Sequence, residues 1–555
     1  MKQYLLIGFL IYFLPDLHAQ YPKHVIRLKD KGSNTFSILN PAQYLSPRAL
    51  QRRSRHKISI DSFDIPVTKR YVDSIRAAGN VTILSTSKWL NQVLIQTTDQ
   101  AALNKIKNFS FVASSQAIGN RIRNTDKFDE DLKPIESSPT SNNLNRTAAD
   151  YYNYGNNYQQ VHIHEGEYLH NKGFRGENIQ ITVLDAGFNQ YKSITAFDSL
   201  RNNFQVLGER DFVAFDNSVN EDDAHGMFCL SIMAANWPGR MVGTAPKANY
   251  WLIRTENVSS EFPIEEHNWV VGAEFADSTG SDMISSSLGY YDFDDPSFNH
   301  TYADFYKNST MVTRGATMAA KKGLIVMNSA GNEGNKSWKY LGFPSDADSV
   351  CAVGAVNSAG QIAPFSSYGF PGKVKPNIVS VGQGTVIAGF NNQPVSGNGT
   401  SFSNPNVAGL IACLWQAFPQ FNNMKILDAV YKSSDRYNNP DDRYGFGIPN
   451  FRIAYESLEK EAIAGNTSFA NDWFIPAPNP FRDNINVYLK IPDAGKISLK
   501  LIDAAGRIMQ VISFDATINQ SRKEKFQNTK NLGAGMYFIQ YLSANQKRVK
   551  KVIKM

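Results

Sequence analysis

Apolar and polar positions divide the chain into stretches of different period. Over residues 20–118 short alternating runs mix with helical ones. Thus "HVIRLKD" reads as a strand, "VTKRYVDSIRAAG" as a helix closed by a glycine, "VTILSTSKWLNQVLIQT" as two strands, "DQAALNKIKNF" as a helix and "SFVASSQ" as a strand. That order predicts a compact α+β unit. Residues 119–149, containing all but the last residue of the polar "NTDKFDEDLKPIESSPTSNNLNRTAAD", show no period and read as an exposed linker open to processing. From 150 to 460 the apolar runs become continuous and end in turns: "IQITVLDAG", "ANYWLIRT", "DMISSSLG", "GLIVMNSAG" and "SVCAVGAV". Helical stretches such as "NWVVGAEFADS" and "VTRGATMAAKKG" separate them. Strands that do not alternate are buried on both faces, so the pattern predicts an α/β domain, three-layer, with helices covering a parallel sheet. Ligands gather at the carboxyl ends of strands in such sheets. After a second break at 461–473, the strands "NINVYLKI", "KISLKLIDAAGR", "MYFIQYLS" and "KRVKKVIKM" predict a small β-sandwich over 474–555.

Composition fits several cores, with 555 residues of which 42% are hydrophobic. The formal charge of +7 concentrates in "RALQRRSRHK" and "QKRVKKVIKM", which argues against a uniform nucleic-acid-binding surface; no nucleic-acid partner is expected. Residues 1–19 pair a basic start with an apolar run and a small residue, Ala19, the grammar of a secretory signal peptide. No later run of about 18 apolar residues follows, so the exported protein is expected to be soluble. Cys229, Cys351 and Cys413 lie in apolar surroundings without metal-like spacing and read as buried free thiols, one disulfide being the rival.

Four polar residues stand at strand or helix ends of the central stretch. Asp185 ends "IQITVLD", where a strand-end carboxylate serves equally as a turn cap. His225 opens the apolar run "HGMFCLSIMAA", which places an imidazole at a buried helix entrance where a carboxylate can fix its tautomer. Ser401 lies in "GNGTSFSNPNVAGL" at the start of a helix, with Pro405 expected in its first turn; a serine there also suits a helix cap. Asn332, in "VMNSAGNEGN", can aim an amide at a developing oxyanion or simply form a turn.

Together these segments resemble the subtilisin-like serine peptidases, family S8, with Asp, His and Ser in that chain order and "GTSFSNPNVAG" as the most specific motif. The resemblance implies a subtilisin-like catalytic domain in which Ser401 is the nucleophile, His225 the general base and acid, and Asp185 the orienting carboxylate. Asn332 and the Ser401 amide become the oxyanion donors. It also implies substrate walls at Ser287, Leu288 and Gly289 and at Ala330 and Gly331. Cleavage by strand addition to such walls accepts many sequences. Met227, Ala186 and "FSNP" after the serine depart from the usual pattern and leave specificity open. No cofactor is implied; structural calcium is common in the family, but no dense run of oxygen ligands names a site.

The flanking units follow from the same comparison. The α+β unit stands where the family carries a propeptide, a folding aid and intramolecular inhibitor, cut between about residues 118 and 150. The segments "APNPFRDNINVYL", "LIDAAGRIMQ" and "LGAGMYFIQY" resemble the C-terminal sorting domain of type IX secretion in Bacteroidetes. This implies a Gram-negative source, contact with the secretion machinery, and an extracellular or cell-surface location. The expected function is a secreted serine endopeptidase acting on polypeptides. An inactive surface-binding relative, or a hydrolase of other acyl groups, is the alternative. The cluster "VHIHEGEYLH", with His162, His164, His170, Glu165 and Glu167, lacks the i, i+4 histidine pair of zinc peptidases and reads as a solvated entry segment.

Overall fold

The computed structural model describes residues 22–119, 132–134, 150–464, 473–518 and 520–555. The expected signal peptide and most of both linkers, including most of the stretch assigned to processing, lie outside the described residues.

Seven parallel strands form the central sheet, in the spatial order Ile378–Val381, Val350–Val356, Ile325–Ser329, Met283–Ser286, Gln180–Asp185, Asn249–Arg254 and Val206–Asp211. Gln180–Asp185 comes first in the chain. Later strands add on one side and then on the other, so the order reverses between Gln180–Asp185 and Met283–Ser286. Such a switch point opens a crevice at the strands' carboxyl ends. The central strands are buried on both faces, the reason their sequences do not alternate. On one face pack the helices His225–Ala234 and Thr400–Ala417, sharing a core with Ile181, Val183 and Met327. On the other, Ile264–Thr279 and Met311–Lys321 pack with Leu184, Ile253 and Val326. Three layers result.

The N-terminal unit is a four-stranded antiparallel sheet, with helices at Lys69–Arg76 and Gln100–Lys107 where the periodicity places them. One further helix, Pro47–His56, coincides with the basic stretch noted above; Ser46 caps it by accepting from the Ala49 N–H at 3.1 Å. Much of this stretch is interface rather than exposed charge. Arg52 and Arg53 are almost wholly buried, Arg52 on Asp277 at 2.5 Å, Arg53 on Asp277 at 2.8 Å and on Asp64 at 2.9 Å. Asp277 belongs to Ile264–Thr279, so that helix anchors the N-terminal unit. Lys322 reaches back to Asp64 at 2.9 Å, and Glu274 accepts the Lys88 and Trp89 N–H groups, each at 2.9 Å.

The C-terminal unit stacks a three-stranded and a four-stranded antiparallel sheet over a shared core including Ile485, Val487, Leu499, Ile539 and Val552, a β-sandwich in which inward apolar residues alternate with outward polar ones. No helix among the described residues is long and apolar enough to cross a membrane. Within the central domain, Lys375 is buried and its ammonium donates to Ala347 O at 2.7 Å, Val350 O at 2.8 Å and Asn377 Oδ1 at 3.1 Å. Burial pushes its pKa down.

Candidate active site

Asp185 ends its strand at the switch point and is fully buried. Its Oδ1 accepts from His225 Nδ1 at 2.6 Å and from the Ala186 N–H at 2.8 Å. His225 begins the helix His225–Ala234, all ten residues of which are buried. Asp223 Oδ1 accepts the His225 N–H at 2.7 Å, giving that helix start an acceptor it would otherwise lack. The glycine after the histidine is a packing requirement. A Cβ on Gly226 would lie 2.5 Å from Gly187 O and 2.8 Å from Asp185 Cβ, so any side chain would push the helix off the aspartate. Met227 is wholly buried in the core beneath.

Burial alone would lower the His225 pKa, but the Asp185 carboxylate overrides it and holds the imidazole well above its ordinary value. Cys229, one helical turn on, lies 4.0 Å from His225 Nδ1. Burial pushes its thiol up to about 11, so at neutral pH it is uncharged and the aspartate carries the effect.

Ser401 is the second residue of the helix Thr400–Ala417, and its N–H is one of the first-turn donors that no helical carbonyl can satisfy. The helix begins at Thr400, so Pro405 lies in its interior rather than in its first turn, a correction to the sequence reading. Proline there removes the bond the Ser401 carbonyl would have received. Two side chains replace it: Ser287 Oγ donates to Ser401 O at 2.9 Å and Cys229 Sγ at 3.4 Å. The Ser401 hydroxyl donates to Ser287 O at 3.4 Å.

Asn332 follows the strand Ile325–Ser329. Its Oδ1 accepts from the Thr400 N–H at 2.9 Å and the Thr400 hydroxyl at 3.0 Å, which leaves Nδ2 on the side of the Gly399–Ser401 turn. Gly399, at φ +156°, lies beside that nitrogen. A Cβ on it would lie 3.7 Å from both Asn332 Nδ2 and Ser401 N, so these two nitrogens border the same space.

Ser287, Leu288, Gly289 and Gly331 line a cleft of about 380 Å³ together with Ser401 and Asn332. Ala330 does not line it but lies buried behind the wall, its carbonyl accepting from the Gly342 N–H at 3.3 Å. A recess of about 610 Å³ between the N-terminal and central units, walled by Thr86, Lys88, Trp251 and Phe275, contains none of these groups. The histidine-rich segment disperses: His164 binds Ser380 and the Pro449 carbonyl, His170 binds Tyr154 and the Thr244 carbonyl, and His162 pairs with Glu167. All three cysteines are free and buried. Sequence reasoning passed over Thr400, Asp223 and Cys229. Thr400 and Cys229 stand beside signature residues, but their partners are set only by the fold.

Residues 176–447 match the Subtilase family. Subtilisin from Bacillus pumilus is 30% identical over 290 residues, 52% of this chain and 94% of that protein. Subtilisin E from Bacillus subtilis (strain 168) is 30% identical over 290 residues, 52% of this chain and 68% of that protein. The chain belongs to the subtilase family. This subtilase is a serine-type endopeptidase, and two further matches frame it. Residues 23–133 match the Peptidase S8 propeptide domain of Bacteroidota, and residues 477–555 match the secretion system C-terminal sorting domain, which indicates secretion. Among solved structures, MycP1 from the ESX-1 type VII secretion system aligns with the subtilase at 20% identity and a TM-score of 0.44, covering 56% of this chain and 90% of that one.

Proposed function

We propose that the chain is the zymogen of an exported endopeptidase in which Ser401 is the nucleophile, His225 the base and acid, Asp185 the orienting carboxylate and Asn332 an oxyanion donor. The hydroxyl of Ser401 turns from Ser287 O toward His225, which takes its proton as Oγ attacks a peptide carbonyl. Asp185 holds the ring by Nδ1 and stabilises the imidazolium. Negative charge on the carbonyl oxygen meets Asn332 Nδ2 and the Ser401 N–H. The imidazolium then protonates the departing amine, and water, deprotonated by the same imidazole, releases the acyl group from Oγ. The N-terminal unit acts as the intramolecular inhibitor until it is cut away, and the C-terminal sandwich is read by the secretion machinery. The product is released outside the cell or held at its surface.

The observation that carries this reading is the 2.6 Å Asp185–His225 contact, set beside Ser401 by Cys229, whose sulfur lies 4.0 Å from His225 Nδ1 and 3.4 Å from the Ser401 carbonyl. Labelling of the processed protein by a serine-directed probe tests it. Wild type is expected to label and to cleave unfolded protein, while Ser401→Ala does neither. In subtilisin itself, loss of the nucleophile or the histidine costs about 10⁶-fold in turnover, which sets the scale. Labelling that persists in Ser401→Ala, or a wild-type protein that cleaves nothing, would overturn it.

A further inference from the structure

In the C-terminal sandwich, the strands of the four-stranded sheet lie in the order Ile508–Ala516, Gly495–Asp503, Gly535–Leu542 and Lys547–Lys554. Leu499, Leu501, Ile539, Tyr541 and Val552 face the other sheet and are buried. Alternation sends their neighbours to the outer face, and on a solvated face those positions are normally polar. Here many are aliphatic. Ile508, Met509, Val511, Met536, Val549 and Ile553 are 40–54% exposed.

The strand register gathers these residues into one patch. Lys500 lies between Val511 and Gln540, and Gln540 faces Val549 on the last strand. In the next row Ile502 lies between Ile508 and Phe538, which faces Lys551; beyond it Met536 faces Ile553. Apolar residues scattered singly over a surface carry no message, whereas a contiguous patch marks an interaction site. The charges on the same face are of one kind. Lys496, Lys500, Lys547 and Lys551 stand there, and Asp515, opposite Lys496 at one corner, is the one carboxylate at the outward positions of these four strands.

These outward positions hold no Trp, Tyr or Arg, the residues that anchor protein–protein interfaces. Aliphatic side chains bordered by lysines suit a lipid leaflet instead. The apolar groups enter the boundary between headgroups and acyl chains, while the long lysine stems carry their ammonium groups out to the phosphates. Since no helix among the described residues is long and apolar enough to cross a membrane, attachment through this face is peripheral.

We propose that the outer face of this sheet docks the protein on a bilayer surface rich in anionic lipid. Val511, Val549, Ile553 and their neighbours enter the leaflet, and Lys500, Lys547 and Lys551 meet headgroup phosphates. The contact is independent of the chemistry at Ser401.

Cosedimentation with lipid vesicles tests this, using the full-length protein bearing Ser401→Ala so that the sandwich stays attached. Vesicles containing about one third phosphatidylglycerol are expected to bind about a hundredfold more tightly than pure phosphatidylcholine, three lysines contributing roughly fivefold each. Raising the salt to about 0.5 M should shrink that preference. Adding Lys500→Gln, Lys547→Gln and Lys551→Gln should bring binding down to the phosphatidylcholine level. Adding Val511→Ser, Val549→Ser and Ile553→Ser instead should weaken binding to the anionic vesicles at least about tenfold. The unfolding midpoint should hold in both, because the replaced side chains are exposed. Equal affinity for the two vesicle types, or either triple variant binding like its parent, overturns the inference. Failure to bind anionic vesicles also overturns it and leaves the face to an acidic protein. In sedimentation without lipid a monomer is expected; a dimer that the serine variant dissociates assigns the face to a second copy and overturns the inference as well.

Discussion

At the scale of single residues, the site depends on where a few protons sit. Protonated His225 cannot accept the serine proton, and its pKa stands above the ordinary value of about 6.5. Activity should therefore rise with pH, and the acid limb of a kcat/KM profile should have its midpoint above 6.5. Asp185→Asn removes the charge that raises the imidazole. It should move that limb to lower pH and cut kcat by about 10⁴-fold, the loss seen when the aspartate of a Ser-His-Asp triad is amidated. Asn332→Ala should cost about 10²- to 10³-fold in kcat, the range set by the oxyanion asparagine of subtilisin itself; circular dichroism should show the fold retained. The roles proposed for Asp185, His225, Ser401 and Asn332 were legible because each stands in a short motif at an element end. The support for Ser401 was not. That Ser287 and Cys229 take over the Ser401 carbonyl follows only once the helix is seen to start at Thr400, which turns Pro405 into an interior residue.

At the scale of elements, the helix Ile264–Thr279 joins two units through charges that sequence cannot pair. Arg52 and Arg53 share Asp277, more than 200 residues away, and only Arg53 also has a partner close in the chain, Asp64. Removing one partner of a buried ion network typically costs about 3–5 kcal/mol. Asp277→Ala in a Ser401→Ala zymogen, which cannot process itself, should lower stability by that amount in urea unfolding. The same helix carries His267, buried between Ser85 Oγ and Gln92 Nε2 of the N-terminal unit, each at 2.8 Å, with Met311 on the same amide. Burial lowers its pKa to about 3. The docked state binds fewer protons than the undocked one, so docking is at full strength above about pH 6.5. It weakens by roughly 1.4 kcal/mol per unit as pH falls from there toward 3. Thermal unfolding of the Ser401→Ala zymogen against pH should show this slope, and His267→Asn should flatten it.

At the scale of the whole molecule, the order of α+β unit, parallel-sheet domain and β-sandwich was readable, because each has its own hydrophobic period. The sheet's strand order was not, since periodicity is silent on which strands become neighbours. The switch point that sets Leu184, next to Asp185, opposite Ser286 emerges only from the topology. The helix Pro47–His56 was missed because its charges obscure its apolar face, Ala49 being its one buried hydrophobic residue.

Lys375 has a consequence of a different kind. The carbonyls of Ala347 and Val350 and the amide oxygen of Asn377 form a nest of negative dipoles of the sort that often takes a dissolved ion, yet here the positive charge is bonded to the chain. Chelators and dilution cannot strip a tethered charge. Lys375→Met should cost on the order of 3 kcal/mol, because three buried acceptors lose their donor, and an unfolding midpoint would measure it. In the native protein this segment should hold equally well in soft water and in brine, a useful property for an enzyme that works outside a cell that could regulate its salt supply.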